Sequence, residues 1–182
     1  NEPYVAYTNY SDSRKVTVIK FDGANWLTVG NASFSAEGAF SVSLAMSSIN
    51  EPYVAYVDEA DSNKATVMKF DGVNWVAVGN PGFSAGGVEI PSLAMSSSNE
   101  PYVAYVDKAN SDKITVMKFD GSNWVTVGTA GFSAKKAHYP SLAMSSSNEP
   151  YVAFKDWGNS GKATVMKFND SSWVTEIGRA HV

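Results

Sequence analysis

The chain has 182 residues, of which 44% are hydrophobic, 13% aromatic and only 18% charged, a composition typical of a folded domain and not of a disordered one. Its net charge of −4 argues against a nucleic-acid surface, because such surfaces carry basic patches, and Lys135-Lys136 is the only adjacent basic pair far from a carboxylate. The absence of cysteine excludes disulfides, thiolate metal sites and cysteine nucleophiles, and no apolar run reaches the roughly 20 residues of a membrane span.

One sequence unit returns every 49 residues along the chain. The heptapeptide NEPYVAY at the start of the chain recurs from Asn50 and from Asn99, and it returns as NEPYVAF from Asn148. The repeats are therefore 1–49, 50–98, 99–147 and a shorter 148–182, and together they form a single repeat domain.

Each repeat contains four short predicted strands, which we call A to D. In the blade that spans the second and third repeats they are A at Ser92–Ser96, B at Pro101–Val106, C at Lys113–Phe119 and D at Trp124–Val127. Asp120-Gly121 predicts a tight hairpin between C and D, because both residues tolerate positive φ. A longer link rich in Gly, Ser and Ala, from Gly128 to Tyr139, leads to the next A strand. No segment has a sustained helical period, so we expect almost no helix.

Three short turns followed by one long link are the connectivity of β-propeller blades. The meander pairs A to D in order, and the long link crosses from the outer strand of one blade to the inner strand of the next. The small residues of strand A also suit the crowded propeller axis. A β-helix would need shorter coils, and a β-sandwich would not need near-identical repeats. The sequence therefore predicts an all-β propeller of four-stranded antiparallel blades.

Counting strands from the first residue gives three complete blades and one that lacks its inner strand, fifteen strands in all. A free inner edge favours association. We expect either further blades in a longer natural chain or a second copy that completes a ring, because the tail after Gly178 is too short to supply the strand.

The repeat resembles the tandem repeats of many bacterial secreted and surface proteins, through NEPYVAY, KATVMKF with the following Asp-Gly, Asn-Trp-Val and Gly-Phe-Ser-Ala. This resemblance covers the whole chain and implies a propeller-like fold and an exported, extracellular or cell-surface protein. It implies no catalytic residues. The fourth repeat departs at Asn169-Asp170, where the others have Asp-Gly, so we expect a looser hairpin there.

Two recurring polar features favour structural roles. Asp71-Gly72 differs from the Asp-x-Gly spacing of the Asp-box hairpins of sialidase-type propellers, so Asp71 is predicted to cap its turn and Trp75 to pack between blades. The B–C turns are rich in oxygen ligands that could hold Ca²⁺, but clusters of this kind are common in ordinary turns. These residues are Asp58, Asp61, Asn63, Asp107, Asn110, Asp112, Asp156 and Asn159. We predict no metal and no cofactor.

The positions at which the repeats disagree are the candidate ligand-binding positions. They fall in the D–A links and B–C turns, which emerge on one face of a propeller, where ligands usually bind. Equivalent positions differ completely, as with Phe40, Glu89 and His138, or with Ser41, Ile90 and Tyr139. The candidate binding residues are Glu37, Phe40, Glu89, Lys135, His138, Tyr139 and Trp157. Sequence drift in exposed loops would give the same pattern.

No enzyme signature is present in the sequence. Glycosidase chemistry needs two carboxylates that flank one bond, but Glu37 and Glu89 lie at non-equivalent positions of different links. The only candidate histidine base is His138, since His181 lies in the tail. We therefore expect a non-enzymatic binding propeller whose loops meet a glycan or a protein. The alternatives are a structural or assembly segment of a larger protein or ring and, third, a glycosidase-like enzyme.

Overall fold

The fold is a β-propeller of antiparallel blades, seen in a computed structural model that describes residues 2–177. Blade 1 has three strands and blades 2, 3 and 4 have four each, paired in chain order. Blade 1 consists of β1 (Tyr4–Asn9), β2 (Lys15–Phe21) and β3 (Trp26–Thr28). Blade 2 consists of β4 (Ala39–Met46), β5 (Pro52–Asp58), β6 (Lys64–Phe70) and β7 (Trp75–Ala77). Blade 3 consists of β8 (Val88–Met95), β9 (Pro101–Asp107), β10 (Lys113–Phe119) and β11 (Trp124–Thr126). Blade 4 consists of β12 (Ala137–Met144), β13 (Pro150–Asp156), β14 (Lys162–Phe168) and β15 (Trp173–Ile177).

The predicted strand order within a blade is confirmed, and so is the missing inner strand of blade 1. Strand C of the third repeat has the predicted bounds, and the helix content of the described chain is two single 3₁₀ turns, Lys108–Asn110 and Trp157–Asn159. The prediction for strand A was wrong at its start. The inner strand of blade 3 begins at Val88 and not at Ser92, so it includes residues that were expected in the link.

The extra length of each inner strand contains a β-bulge. Pairing of β8 with β9 shifts between Glu89 and Ser92, and Ile90 within the bulge has a left-handed φ of 49°. Ser41 and Tyr139 occupy the same position in the other two blades, with φ of 48° and 54°. Such a bulge bends the strand and redirects side chains. Phe40, Glu89, His138 and Tyr139 are therefore held by the sheet, whereas Glu37 and Lys135 lie in the links before it.

Adjacent blades pack side by side, and the side chains that face each other are buried. We call each such contact between two blades a joint. At joint 1–2, Val16 and Val18 of blade 1 pack in one core cluster with Val54 and Tyr56 of blade 2, and all four are at most 2% exposed. Joints 2–3 and 3–4 have equivalent clusters. Because strand side chains alternate between two faces, each blade uses one face for each neighbour.

A tryptophan from strand D fastens each joint. The indole Nε1 of Trp75 in blade 2 donates to the carbonyl oxygen of Val29 in blade 1 at 2.8 Å, and the ring stacks on Phe34 at 4.1 Å between centroids. Trp124 and Trp173 make the same contacts with the blades before them. Gly30 permits the approach, because its φ is +65° and a Cβ there would lie 2.6 Å from the ring of Phe70. The prediction that Trp75 packs between blades is confirmed.

Among residues 2–177, no helix is long and apolar enough to cross a membrane. His181 and the tail from Gly178 onward lie outside the described residues.

Candidate ligand-binding face

Each blade has two rims, which differ in what they present. The hairpin rim carries the A–B turns and the C–D hairpins. The loop rim carries the B–C turns, the D–A links and the bulged starts of the inner strands. Grooves lie between adjacent blades on the hairpin rim at all three joints, and on the loop rim at joint 2–3.

The C–D hairpins of the hairpin rim are held by their aspartates. Oδ1 of Asp71 accepts hydrogen bonds from the backbone amides of Val73 at 2.9 Å and Asn74 at 2.7 Å. These bonds hold the pKa of Asp71 below its usual range, with the bond from Asn74 the largest cause. Asp22 and Asp120 make the same bonds, so the predicted capping role is confirmed. In blade 4, Asn169 accepts the equivalent bonds at 3.3 and 2.9 Å, a wider geometry that agrees with the looser hairpin expected there.

The buried aspartates at the ends of the B strands organise the B–C turns of the loop rim. Asp107 is 1% exposed, and its carboxylate accepts from the Ala109 amide at 3.0 Å, the Asn110 side-chain amide at 2.9 Å and the Thr115 hydroxyl at 2.7 Å. Asp58 and Asp156 make similar bonds to their turns. Burial raises the pKa of Asp58. These three carboxylates therefore form hydrogen bonds within their own turns and to the strand that follows.

The groove of the loop rim at joint 2–3 has a volume of about 500 Å³. Phe40 and Ser41 line it from blade 2, and Glu89, Ile90 and Lys108 line it from blade 3. The Lys108 ammonium lies 2.7 Å from Glu89 and 2.9 Å from Asp112. These two bonds raise the pKa of Lys108, with Glu89 the larger contributor. The acidic and basic groups of this groove therefore largely neutralise each other.

At joint 1–2 the loop rim is closed by an ion pair. Arg14 contacts both carboxylate oxygens of Glu59, at 2.7 and 3.0 Å, and its guanidinium lies 4.5 Å from the centre of the Phe40 ring. Phe40 thus contacts Arg14 of blade 1 and also lines the groove at joint 2–3.

The loop rim of blade 4 carries a cluster of aromatic and basic side chains, which we call the aromatic–lysine cluster: Lys136, His138, Tyr139, Lys155 and Trp157. The His138 ring lies 6.1 Å from Tyr139 and 6.4 Å from Trp157. The ammonium groups of Lys155 and Lys136 lie 4.7 and 5.4 Å from the centre of the Trp157 ring. Tyr139 is 67% exposed and Trp157 is 43% exposed.

The carboxylate of Asp112, which the charges of this cluster influence, already has a partner. The pKa of Asp112 is lowered chiefly by the hydrogen bond from Lys108 and, more weakly, by the charges of His138 and Lys136. Within the described chain, neither Lys136 nor Lys155 forms an ion pair. The aromatic–lysine cluster therefore has an excess of positive charge in a protein whose net charge is −4.

The structure brings together only some of the residues predicted for the site. His138, Tyr139 and Trp157 form one cluster, and Phe40 and Glu89 line the neighbouring groove. Glu37 is exposed and lies near Asp58. Lys135 is also exposed, and the hydrogen bond that it accepts from the Ser133 hydroxyl goes to its backbone carbonyl. Neither side chain joins a cluster.

Sequence reasoning missed three participants in the loop rim: Lys108, Lys136 and Lys155. Lys155 stands where Val57 and Val106 stand in the preceding repeats, so the break in the repeat was a usable signal. Across residues 2–177, no three His, Asp or Glu side chains converge in an arrangement that could hold a metal ion.

The chain is therefore a repeat propeller whose blades share one backbone structure, while the side chains on the loop rim differ from blade to blade. No protein-family model and no curated protein matches the chain. Solved structures do match it. An endo-1,4-β-xylanase from Bacteroides thetaiotaomicron has a TM-score of 0.59 and 15% identity, over 100% of this chain and 70% of its own. The lectin of Aleuria aurantia, in complex with Fucα1-6GlcNAc, has a TM-score of 0.59 and 14% identity, over 98% and 63%. A Hadza microbial sialidase has a TM-score of 0.62 and 10% identity, over 96% and 42%.

These likenesses are to larger proteins. The chain spans 42–70% of the three structures named, at identities of 10–15%. The likeness establishes the propeller fold. Because both hydrolases and a lectin share it, the fold alone does not decide between catalysis and binding.

Proposed function

We propose that this chain is a carbohydrate-binding propeller whose loop rim recognises an acidic sugar on blade 4. The aromatic–lysine cluster is the observation that carries the proposal. Aromatic faces stack on the apolar faces of sugars, and Tyr139 offers a ring that is 67% exposed. Lectin and glycosidase neighbours of the same fold support a carbohydrate ligand.

The charge of the cluster favours a sugar that carries a carboxylate or a sulfate. Lys136 and Lys155 are both held at the Trp157 ring and have no carboxylate partner among the described residues. Bringing an anion to two such ammonium groups adds charge-assisted hydrogen bonds without breaking an existing ion pair. The joint 2–3 groove lacks this advantage, since its Lys108 is already bound by Glu89 and Asp112.

Calorimetry with an acidic oligosaccharide and its neutral counterpart tests the proposal. We expect saturable binding of the acidic sugar, weakened about tenfold or more by Lys136→Ala with Lys155→Ala, with a smaller dependence on salt in that variant. Tyr139→Ala should weaken both sugars. Lys69→Ala, on the hairpin rim, is the matched control and should bind like the unmodified chain.

Two results would contradict the proposal. One is the absence of binding across acidic and neutral glycans. The other is binding that the cluster variants leave unchanged. Chromatography of the sugar after incubation checks for shortened products, and hydrolysis would replace the binding function with a glycosidase.

A structural or assembly role is the second candidate, and the exposed sides of blades 1 and 4 favour it. Tyr7 of blade 1 is 38% exposed, whereas its equivalents Tyr56 and Tyr105 are 2% and 1% exposed. Mutation of the aromatic–lysine cluster would leave assembly unchanged if this were the main role.

We further propose that the chain acts outside the bacterial cell, at the surface or after secretion. The support is the likeness of its repeats to those of exported bacterial proteins. Fractionation of the source cells with an antibody to the chain should find it in the medium or on the envelope, and recovery only from the cytoplasm would contradict this.

A further inference from the structure

The two end faces of the molecule are the two halves of a blade joint. The first end face lies on blade 1 and contains Val5, Tyr7 and Trp26. The second lies on blade 4 and contains Tyr151, Ala153, Ala163 and Val165. Inside the chain the equivalents of both sets are buried against each other.

Within the described chain, no other blade packs on the first end face. Val5 is 42% exposed, but Val54, Val103 and Val152, which follow it at the repeat interval, are all 0% exposed. Trp26 is 49% exposed, against 9% for Trp75. Its indole Nε1 makes no hydrogen bond to any residue from 2 to 177, whereas those of Trp75, Trp124 and Trp173 each donate to the blade before.

The second end face matches the surface that receives such a blade. Val18, Val67 and Val116 are at most 1% exposed at the three joints, and Val165 is their partly exposed equivalent in blade 4. Ala55 and Ala104 are 0% exposed, while Ala153 at the same position is partly exposed. The residue types that accept a neighbouring blade are thus repeated at this end.

Charge is also complementary between the ends. The groove of the hairpin rim at joint 1–2 contains Lys20 from blade 1 and Asp71 from blade 2. The joint 2–3 groove repeats this with Lys69 and Asp120. At the ends, Lys167 lies on blade 4 and Asp22 lies on the C–D hairpin of blade 1, so blade 4 has the lysine of a joint and blade 1 has the aspartate. Lys167 pairs with Glu176 of its own blade at 3.0 Å, as Lys20 pairs with Glu2 at joint 1–2.

From these matches we propose that the chain binds a second copy of itself head to tail, with blade 4 of one copy docked on blade 1 of the other. The contact repeats an internal joint, except that three strands and not four are present on the blade 1 side. Val5, Tyr7 and Trp26 become buried, which stabilises the contact by removing apolar surface from water. Such an interface joins two different surfaces, so it produces a ring when the rotation closes and an open chain of copies when it does not.

Light scattering after size exclusion tests the contact on the intact chain. We expect a mass of about 39 kDa or more that rises with concentration, compared with 19.5 kDa for one copy. Val5→Glu and Ala153→Glu each place a carboxylate on one end face and should each reduce the mass to that of one copy. Val73→Glu, at a hairpin tip that is 74% exposed and outside both end faces, is the matched control and should associate normally.

Mixing the two variants separates this contact from other modes of association. Each variant retains one intact end face, and the two intact faces are complementary, so an equal mixture should form a species of two copies. This recovery also shows that both variants are folded. A mass of 19.5 kDa for the unmodified chain at all concentrations would overturn the proposal, and so would a mixture that remains monomeric. Neither result depends on whether the loop rim binds a sugar.

Discussion

The hairpin rim and the loop rim are built by the same 49-residue repeat, yet they differ in how much their sequences vary from one repeat to the next. On the hairpin rim, Asp22, Asp71 and Asp120 make the same bonds in three blades, and three tryptophans make the same joint contact. On the loop rim, the position just before the bulge holds Phe40, Glu89 or His138. The backbone is nevertheless equivalent there, with a left-handed residue at the next position in all three inner strands. The difference indicates that the frame is specified by backbone bonds, while the bulge presents side chains that the frame does not need.

The largest expected effect comes from removing a joint tryptophan. Trp124→Ala deletes a 2.7 Å hydrogen bond and a stack on Phe83, so we expect it to lower the free energy of unfolding by about 3–5 kcal/mol. Trp26→Ala removes the tryptophan at the equivalent position of blade 1, on which no blade packs in the described chain. It should lower the free energy of unfolding by about 1 kcal/mol or less.

Urea unfolding of both variants, at concentrations below self-association, measures this contrast. Equal losses for Trp124→Ala and Trp26→Ala would show that the tryptophan acts within its own blade and not across the joint.

The repeat made much of the frame predictable. Strand C at Lys113–Phe119 and the joint role of Trp75 follow from alternation and recurrence within one repeat. The bulge was missed because left-handed backbone is usually signalled by glycine or asparagine, and Ile90 and Tyr139 give no such signal. The sheet holds these residues in that conformation through pairing on both sides of the bulge.

The candidate site was predictable only in part. Variation between repeats identified His138, Tyr139 and Trp157 one at a time. It did not show that Lys155 of β13 and Lys136 of the preceding link meet at one indole ring, because that contact depends on how β12 pairs with β13. In the sequence, Lys135 and Lys136 form only an adjacent pair of positive charges. In the fold Lys136 contributes to the cluster, whereas Lys135 does not.

A smaller effect, of opposite sign, is expected at the bulge. Tyr139 has a φ of 54°, where a side chain other than glycine is strained, and its ring is largely in solvent. Tyr139→Gly should therefore raise the free energy of unfolding by about 1 kcal/mol while it removes the ring that we propose stacks on a sugar.

Tyr139→Ala is the control for this change, since it also removes the ring but keeps the strained Cβ. Thermal unfolding should rank glycine above alanine. A glycine variant less stable than the alanine variant would show that the ring or the Cβ supports the bulge.

The smallest expected effect is a pH dependence at the hairpin rim. Bonds from the amides of Asn123 and, next, Ser122 hold the pKa of Asp120 below its usual value, so the ionised form is favoured in the folded chain. The resulting stability is present above the pKa of about 4 of an unfolded aspartate, and it is lost as pH falls through the lower folded value. Asp120→Asn removes this titration but retains an amide oxygen, as Asn169 does naturally in blade 4. The variant should be slightly less stable than the unmodified chain at pH 7, and the difference in unfolding midpoint should shrink as the pH is lowered to about 3. A difference that stays constant over this range would mean that the capping bonds of Asp120 do not depend on its charge, and that aspartate and asparagine are equivalent on the hairpin rim.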